Sequence, residues 1–214
     1  INKFSKLPKH IKIVSVHQPT HVIINGLVKN FDITSTSEIG DESIKAFCKT
    51  MDFAKQCGIK KIVLHECMFD SIKSSKETSM NLLKERISEF LSKDLMICIE
   101  TNVMWFDYCH RYKTLLNTIE DFKELRKILG KDLHITLDIE HINYTYLFKE
   151  FLKYNTNYNL DEINDKEFAK DFLEFAKENP ERLTNAFETA LKLFITEFTN
   201  EIEHIHINGS DYLN

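Results

Sequence analysis

Short runs of mostly β-branched residues alternate along this chain with longer amphipathic stretches, and no other feature restricts its fold as strongly. Five runs have the composition of strands, at 11–17, 60–66, 95–100, 133–138 and 202–208. Apolar residues at helical spacing mark 41–58, 76–94, 118–130 and a longer region, 144–199, that is broken near Asn179 and Pro180. Strands that alternate with helices predict βαβ units, and therefore a parallel sheet covered by helices.

The spacing of the predicted strands narrows the choice of fold. Each strand has one polar, ligand-type residue near its end: His17, His65, Glu100, Asp138 and His206. The first four are separated by 48, 35 and 38 residues, and 68 residues separate the last two, which predicts a helical insertion at about 144–199. This spacing of strand ends fits a (β/α)8 barrel or a doubly wound sheet. No glycine-rich phosphate loop follows any of the strands, which disfavours a nucleotide-binding sheet.

All five strand-end residues are possible metal ligands. Because side chains alternate across a strand, they share their faces with residues such as Cys98, Thr136 and His204, whereas the opposite faces are almost wholly aliphatic. The aliphatic faces favour packing against helices. The mixed faces favour the interior of a barrel, where the carboxyl ends of the strands converge. A divalent cation would neutralise the converging carboxylates, and imidazole with carboxylate suits Zn, Mn, Fe or Co better than Ca.

Each of these residues also has a simpler explanation when it is taken alone. A single histidine at a strand end is usually a hydrogen-bonded structural residue, and Glu100 or Asp138 could cap the helix after its strand. Five such residues at matching positions in successive units favour one shared site over five separate roles. His141, three residues after Asp138, could bind either metal or substrate.

Composition excludes several classes of protein. The 214 residues, 43% of them hydrophobic and 29% charged, favour a single domain, 1–214. A net charge of -5 argues against a nucleic-acid partner, because phosphate contacts need a basic face. No run of about 18 apolar residues occurs, so no membrane span is expected. Five cysteines without a CxxC pair indicate a reducing, cytoplasmic location.

Five stretches, taken together and in order, resemble the xylose-isomerase-like TIM-barrel superfamily: "VSVHQP", "IVLHE", "ICIETN", "TLDIEH" and "IHIHIN". This superfamily includes sugar-phosphate isomerases and epimerases, and the endonuclease IV-like apurinic endonucleases. The resemblance implies a (β/α)8 TIM barrel of which this chain covers about strands three to seven and lacks the ends.

The resemblance also implies roles for the strand-end residues. In the isomerase and epimerase branch, a Glu, an Asp, a His and a final Glu typically hold one metal, and the first three match Glu100, Asp138 and His206. The residue matching His141 usually touches the substrate. In the endonuclease branch up to three zinc ions are bound, His17 and His65 match further ligands, and His141 matches a ligand of the third zinc.

The sequence departs from the family in several places. The final Glu has no match, and neither does the Asp-x-His that precedes it in the endonuclease branch. Thr20 stands where the endonucleases have an aromatic residue, and "TNVMWFDYCH" follows Glu100 instead of a small-residue stretch. His17 and His65 instead favour the endonuclease branch, because a one-metal isomerase does not require both.

Three functions are therefore expected as alternatives. The first is a divalent-metal-dependent isomerase or epimerase of a small sugar or sugar phosphate, with Mn, Zn or Co as the metal and Glu100 and His141 as catalytic residues. The second is a zinc-dependent endonuclease IV-like phosphoesterase acting on DNA. The third is a non-catalytic, degenerate barrel that binds no metal tightly.

The first alternative assigns further residues to the substrate. Trp105 could close the pocket over a sugar, although simple packing explains it equally well, and Asn102 and Asn208 could supply polar contacts. The helical insertion could serve a homo-oligomer interface or a lid. Its charged faces are more simply explained as solvated helix surface.

Overall fold

The structure is a computed structural model that describes residues 8, 10–65, 67–70, 73–91, 95–104, 112–155 and 165–207. The strands are β1 (Ser15–His17), β2 (His21–Ile24), β3 (Leu27–Asn30), β4 (Lys61–Leu64), β5 (Met68–Asp70), β6 (Met96–Glu100), β7 (Tyr112–Thr114), β8 (His134–Asp138) and β9 (Ile202–His206). The helices are α1 (Glu38–Gln56), α2 (Lys76–Ser88), α3 (Ile119–Leu129), α4 (Ile139–Tyr154), α5 (Asp165–Glu178) and α6 (Pro180–Glu197).

Five of the strands form one parallel sheet in the order β1-β4-β6-β8-β9. Because this order follows the chain without the reversal that defines a doubly wound sheet, the sheet has barrel topology. The helical segments α1, α2, α3 and α4–α6 connect its successive strands. The predicted parallel α/β arrangement is therefore confirmed, and the doubly wound alternative is wrong.

The sheet is strongly curved. In a flat sheet, β1 and β9 would lie about 19 Å apart, because four inter-strand spacings separate them. The imidazole rings of His17, at the end of β1, and His206, at the end of β9, nevertheless lie only 6.3 Å apart between centroids. The five strands therefore curl around a common interior, as part of an α/β barrel does.

The outer face of the three central strands forms the main core with the helices. Its side chains are fully or almost fully buried: Ile62, Leu64, Ile97, Ile99, Ile135 and Leu137. The two edge strands differ from the prediction that their aliphatic faces would also be covered. Val14, which precedes β1, is 58% exposed, and Ile205 of β9 is 49% exposed. Each edge strand has only one neighbouring strand, so less of the surrounding structure reaches its outer face.

Local sequence signals explain where most helices begin. Ser37 and Ser75 accept hydrogen bonds from main-chain N–H groups in the first turns of α1 and α2. Thr118 and Asp121 form a capping box at the start of α3, and Gly130 ends that helix with a φ of 61°. The helical region expected from residue 144 begins earlier, at Ile139, because Asp138 caps α4 directly.

Two short antiparallel pairs add to the main sheet, and neither is expected from the sequence analysis. The β2–β3 hairpin turns at Asn25 and Gly26, whose φ angles of 51° and 77° are those of a tight two-residue turn. β5, which follows the second parallel strand, pairs with β7, which follows the third. Among the described residues, none of the helices combines the length and apolar character needed to cross a membrane.

Candidate metal centre

The five strand-end residues meet at the carboxyl edge of the curved sheet, around Glu100. His17, Glu100, Asp138 and His206 are the last residues of their strands, and His65 directly follows β4. Glu100 lies on the middle strand and is only 2% exposed. Its Oε2 atom lies 3.1 Å from Nε2 of His17, and its Oε1 atom accepts a hydrogen bond from Nδ1 of His206 at 2.8 Å. The predicted convergence is therefore present in the fold.

Asp138 has two roles that the sequence analysis treated as alternatives. Its Oδ1 atom accepts a hydrogen bond from the main-chain N–H of His141 at 3.0 Å and so caps α4. Its Oδ2 atom lies 3.6 Å from Nδ1 of His206 and faces the cluster. One carboxylate therefore both begins a helix and offers an oxygen to the site.

His141 reaches the same cluster from the first turn of α4. Its Nδ1 atom lies 2.6 Å from the carbonyl oxygen of Thr101, which can only accept a hydrogen bond, so Nδ1 carries the proton. This leaves Nε2 as the nitrogen with a lone pair for a ligand. The His141 ring stacks on that of His65, with 5.1 Å between centroids.

In the part of the chain that the structure describes, two groups of three side chains have the spacing of a metal site. In each group, one ligand atom per residue lies within 4.8 Å of the other two; the groups are His65–Glu100–His141 and Glu100–Asp138–His206. Imidazole nitrogens with carboxylate oxygens are the donors that Zn, Mn, Fe and Co prefer. The donor set therefore fits a divalent transition metal, and Glu100 belongs to both groups.

The electrostatics of Glu100 favour its charged form. Burial alone would raise its pKa, but the hydrogen bond with His17 and the nearby rings of His65 and His206 outweigh burial and lower the pKa to about 2. Both ring nitrogens of His17 face oxygen acceptors, since its Nδ1 atom lies 3.0 Å from the carbonyl of Gln18.

Two further residues support the cluster, and the sequence analysis missed both. Gln18 is 2% exposed, and its side-chain amide makes two hydrogen bonds to the main chain of His65. The Thr101 hydroxyl accepts a hydrogen bond from the main-chain N–H of Asp138 at 2.9 Å. Their only sequence signal is position, because each directly follows a strand-end ligand candidate.

The layer beneath the cluster is polar but does not provide a nucleophile. Burial raises the pKa of the Cys98 thiol to about 11, so the thiol stays protonated near neutral pH. The Thr136 hydroxyl and Nδ1 of His204 lie in the same layer. Cys98 therefore fills space below Glu100.

The predicted substrate contacts are only partly covered by the structure. Asn102 is buried, and its side-chain amide donates a hydrogen bond to the carbonyl of Leu115 at 2.9 Å. A substrate role for Asn102 stays a prediction. Trp105 and Asn208 lie outside the described residues.

Fold and site together define the class of this protein. It has a curled parallel α/β sheet of barrel topology, with five histidine and carboxylate side chains at the carboxyl edge that could hold divalent metal. No family model matches the sequence. One curated protein, glutamate–tRNA ligase 2 from Thermosipho melanesiensis, is 31% identical over 107 residues, which are 50% of this chain. The chain spans 22% of that ligase, about a fifth of its length.

Several solved structures are similar to this chain. Endonuclease IV from Thermus thermophilus matches 92% of this chain and 53% of its own, with 13% identity and a TM-score of 0.47. A D-tagatose 3-epimerase-like protein matches 86% of this chain and 78% of its own, with 18% identity and a TM-score of 0.44. Both belong to the superfamily that the sequence motifs resemble. The three names share no single activity.

Proposed function

We propose that this protein is a divalent-metal-dependent hydrolase of phosphate esters whose site holds two metal ions that share Glu100. The observation that carries the proposal is the membership of Glu100 in both ligand groups, His65–Glu100–His141 and Glu100–Asp138–His206. A one-metal isomerase would need only the second group. Under this proposal, the five parallel strands correspond to strands three to seven of an eight-stranded barrel, which the sequence resemblance implies and the curvature of the sheet supports.

The chain's own residues are arranged to hold two ions close together. The two oxygens of Glu100 face different partners, Oε2 towards His17 and Oε1 towards His206. Divalent ions bound there would supply Lewis-acid charge to the oxygens of a phosphate ester. His17 would add a nitrogen ligand beside Oε2 once its Nε2 atom has lost its proton. His141 would present Nε2, because the Thr101 carbonyl holds its other nitrogen.

A one-metal isomerase or epimerase is the second candidate. The observation that favours it is the hydrogen bond between His17 and Glu100, which gives His17 a role that needs no metal. In that case Glu100, Asp138 and His206 would hold one ion against the oxygens of a sugar or sugar phosphate. His65 and His141 would then contact the substrate or support the site.

The number of metal ions per chain distinguishes these functions. We expect elemental mass spectrometry to find two ions per chain in the purified protein and none in Glu100→Gln, because both ions lose a ligand. His65→Ala and Asp138→Asn should each lose one. His21→Ala, an exposed histidine on the β2–β3 hairpin, is the control and should keep both.

Each other result points to a specific alternative. One ion that survives His65→Ala but not Asp138→Asn would contradict the two-ion hydrolase and favour the isomerase or epimerase. Assays with bis-p-nitrophenyl phosphate and with aldose–ketose pairs would then identify the reaction class. No bound ion after reconstitution with Zn, Mn and Co would support the non-catalytic barrel.

A further inference from the structure

Gln18 occupies an unusual place between the first two parallel strands. The main-chain pairing of β1 with β4 ends at His17 and Val63, and β4 itself ends at Leu64. His65 therefore lies just beyond the sheet, whereas Glu100, Asp138 and His206 are each the last residue of a strand. The pairing of β1 with β4 therefore stops two residues before His65.

The Gln18 side chain continues the ladder where the main chain stops. Its Oε1 atom accepts a hydrogen bond from the main-chain N–H of His65 at 2.7 Å, and its Nε2 atom donates to the His65 carbonyl at 3.3 Å. A primary amide that accepts and donates in this way imitates the peptide group of a neighbouring strand. The main-chain N–H of Gln18 donates to the carbonyl of Val63 at 3.0 Å, so Gln18 is itself fixed to β4.

Burial makes these contacts specific to Gln18. The residue is 2% exposed, so a side chain that cannot hydrogen-bond would leave the His65 main-chain groups with no water to replace the lost partners. The carbonyl of Gln18 also accepts from Nδ1 of His17 at 3.0 Å. One residue thus connects the two histidines on this side of the cluster.

We propose that Gln18 is a positioning residue that holds His65 and thereby sets the affinity of the ion bound by His65, Glu100 and His141. This inference rests on the proposed two-ion site. The other ligand group does not depend on Gln18, because Asp138 and His206 are paired directly in the β8–β9 ladder. Loss of the Gln18 amide should therefore weaken one ion and spare the other.

Gln18→Met tests the proposal, because methionine keeps the volume and removes both hydrogen bonds. Stepwise titration with Co²⁺, followed by its visible absorption, should show one ion bound about 10- to 100-fold more weakly and the other within twofold of the original protein. Gln18→Glu keeps the acceptor for the His65 N–H, so its affinity for the weakened ion should lie between those of the original protein and of Gln18→Met. Gln56→Met, at the exposed end of α1, is the control and should leave both affinities unchanged. Equal weakening of both ions, or of neither, would overturn the proposal.

A second measurement separates this inference from the proposed function. If the original protein binds one ion or none, the proposal of a two-ion hydrolase is wrong. The role of Gln18 in positioning His65 is then tested in the metal-free protein. In that protein the rings of His65 and His141 stack at 5.1 Å, a contact that NMR detects through ring-current shifts. The stack should be lost in Gln18→Met and kept in Gln56→Met. If Gln18→Met keeps it, Gln18 does not position His65. Should Gln18→Met fail to fold, Gln18→Glu is measured in its place.

Discussion

Burial and charge act in opposite directions on Glu100. A carboxylate that is 2% exposed should resist ionisation, yet the His17 hydrogen bond and the surrounding histidines lower its pKa to about 2. The folded protein therefore favours the charged form more strongly than the unfolded chain does, where the pKa is near 4.5. Glu100 is held as an anion before any metal binds, which is the state that a metal ligand requires.

This shift predicts how the stability of the metal-free protein depends on pH. Because the folded-state pKa is lowered, the contribution of Glu100 is complete above about pH 4.5 and is lost as the pH falls towards about 2. The loss amounts to roughly 3 kcal/mol, at about 1.36 kcal/mol per pKa unit. Urea unfolding of the original protein and of Glu100→Gln between pH 6 and pH 3 should show a steeper loss in the original protein.

The difference between the two proteins isolates Glu100, because the other carboxylates titrate in both. Glu77→Gln, on the exposed surface of α2, is the matched control and should follow the original protein. Parallel stability curves for the original protein and Glu100→Gln would show that the histidines do not stabilise the Glu100 anion.

At the residue level, the sequence predicted the ligand candidates but not what holds them. His17, Glu100, Asp138 and His206 could be found because parallel strands bring their carboxyl ends to one edge. Gln18 and Thr101 act through main-chain groups of residues distant in sequence, and a single sequence shows no pattern for such contacts. The orientation of His141 depends on the Thr101 carbonyl, which exists in any sequence and therefore leaves no signal.

Among the elements, the helices and the five parallel strands were predicted, and the strands of the two antiparallel pairs were not. Helix α3 was expected at 118–130 and spans Ile119–Leu129, because its cap and its terminal glycine are local signals. The β2–β3 hairpin was missed, although Asn25-Gly26 between two apolar runs is a strong hairpin signal. The β5–β7 pair joins segments more than 40 residues apart, so no local pattern could predict it.

The start of α3 allows a test of how far local capping stabilises this fold. The Thr118 hydroxyl accepts a hydrogen bond from the Asp121 N–H, and Asp121 accepts from the N–H groups of Thr118 and Asn117. Asp121 is also paired with Lys76 of α2, so it connects two helices. We expect Thr118→Ala to cost about 1 kcal/mol of unfolding free energy. Asp121→Ala should cost roughly 3 kcal/mol, because it leaves buried donors without partners.

Urea unfolding at neutral pH measures both values. Glu120→Ala, exposed in the same first turn, controls for a change in charge near the helix N-terminus and should change stability by less than about 0.5 kcal/mol. Equal costs for Thr118→Ala and Asp121→Ala would mean that the contacts of Asp121 outside the capping box contribute nothing.

Over the whole molecule, the candidate ligands join all five strands of the parallel sheet. They come from β1, β6, β8 and β9, from the residue after β4, and from the first turn of α4. Helix α5 is packed differently, because its Phe168 and Phe172 contact Phe148 and Phe151 of α4 in a second cluster, separate from the main core. Bound metal should therefore stabilise the sheet as one unit, while α5 can open independently.

Hydrogen exchange with and without Zn²⁺ tests this division of the molecule. A ligand that binds only the folded sheet adds about 2.7 kcal/mol at 100 times its Kd, which slows exchange through global unfolding by about 100-fold. Amides of β6 and β8 should show this slowing. Those of α5 should exchange at an unchanged rate, because α5 carries none of the candidate ligands. The double variant Glu100→Gln, Asp138→Asn should show no slowing anywhere. Equal slowing in α5 and the sheet would instead mean that the second phenylalanine cluster unfolds together with the main core.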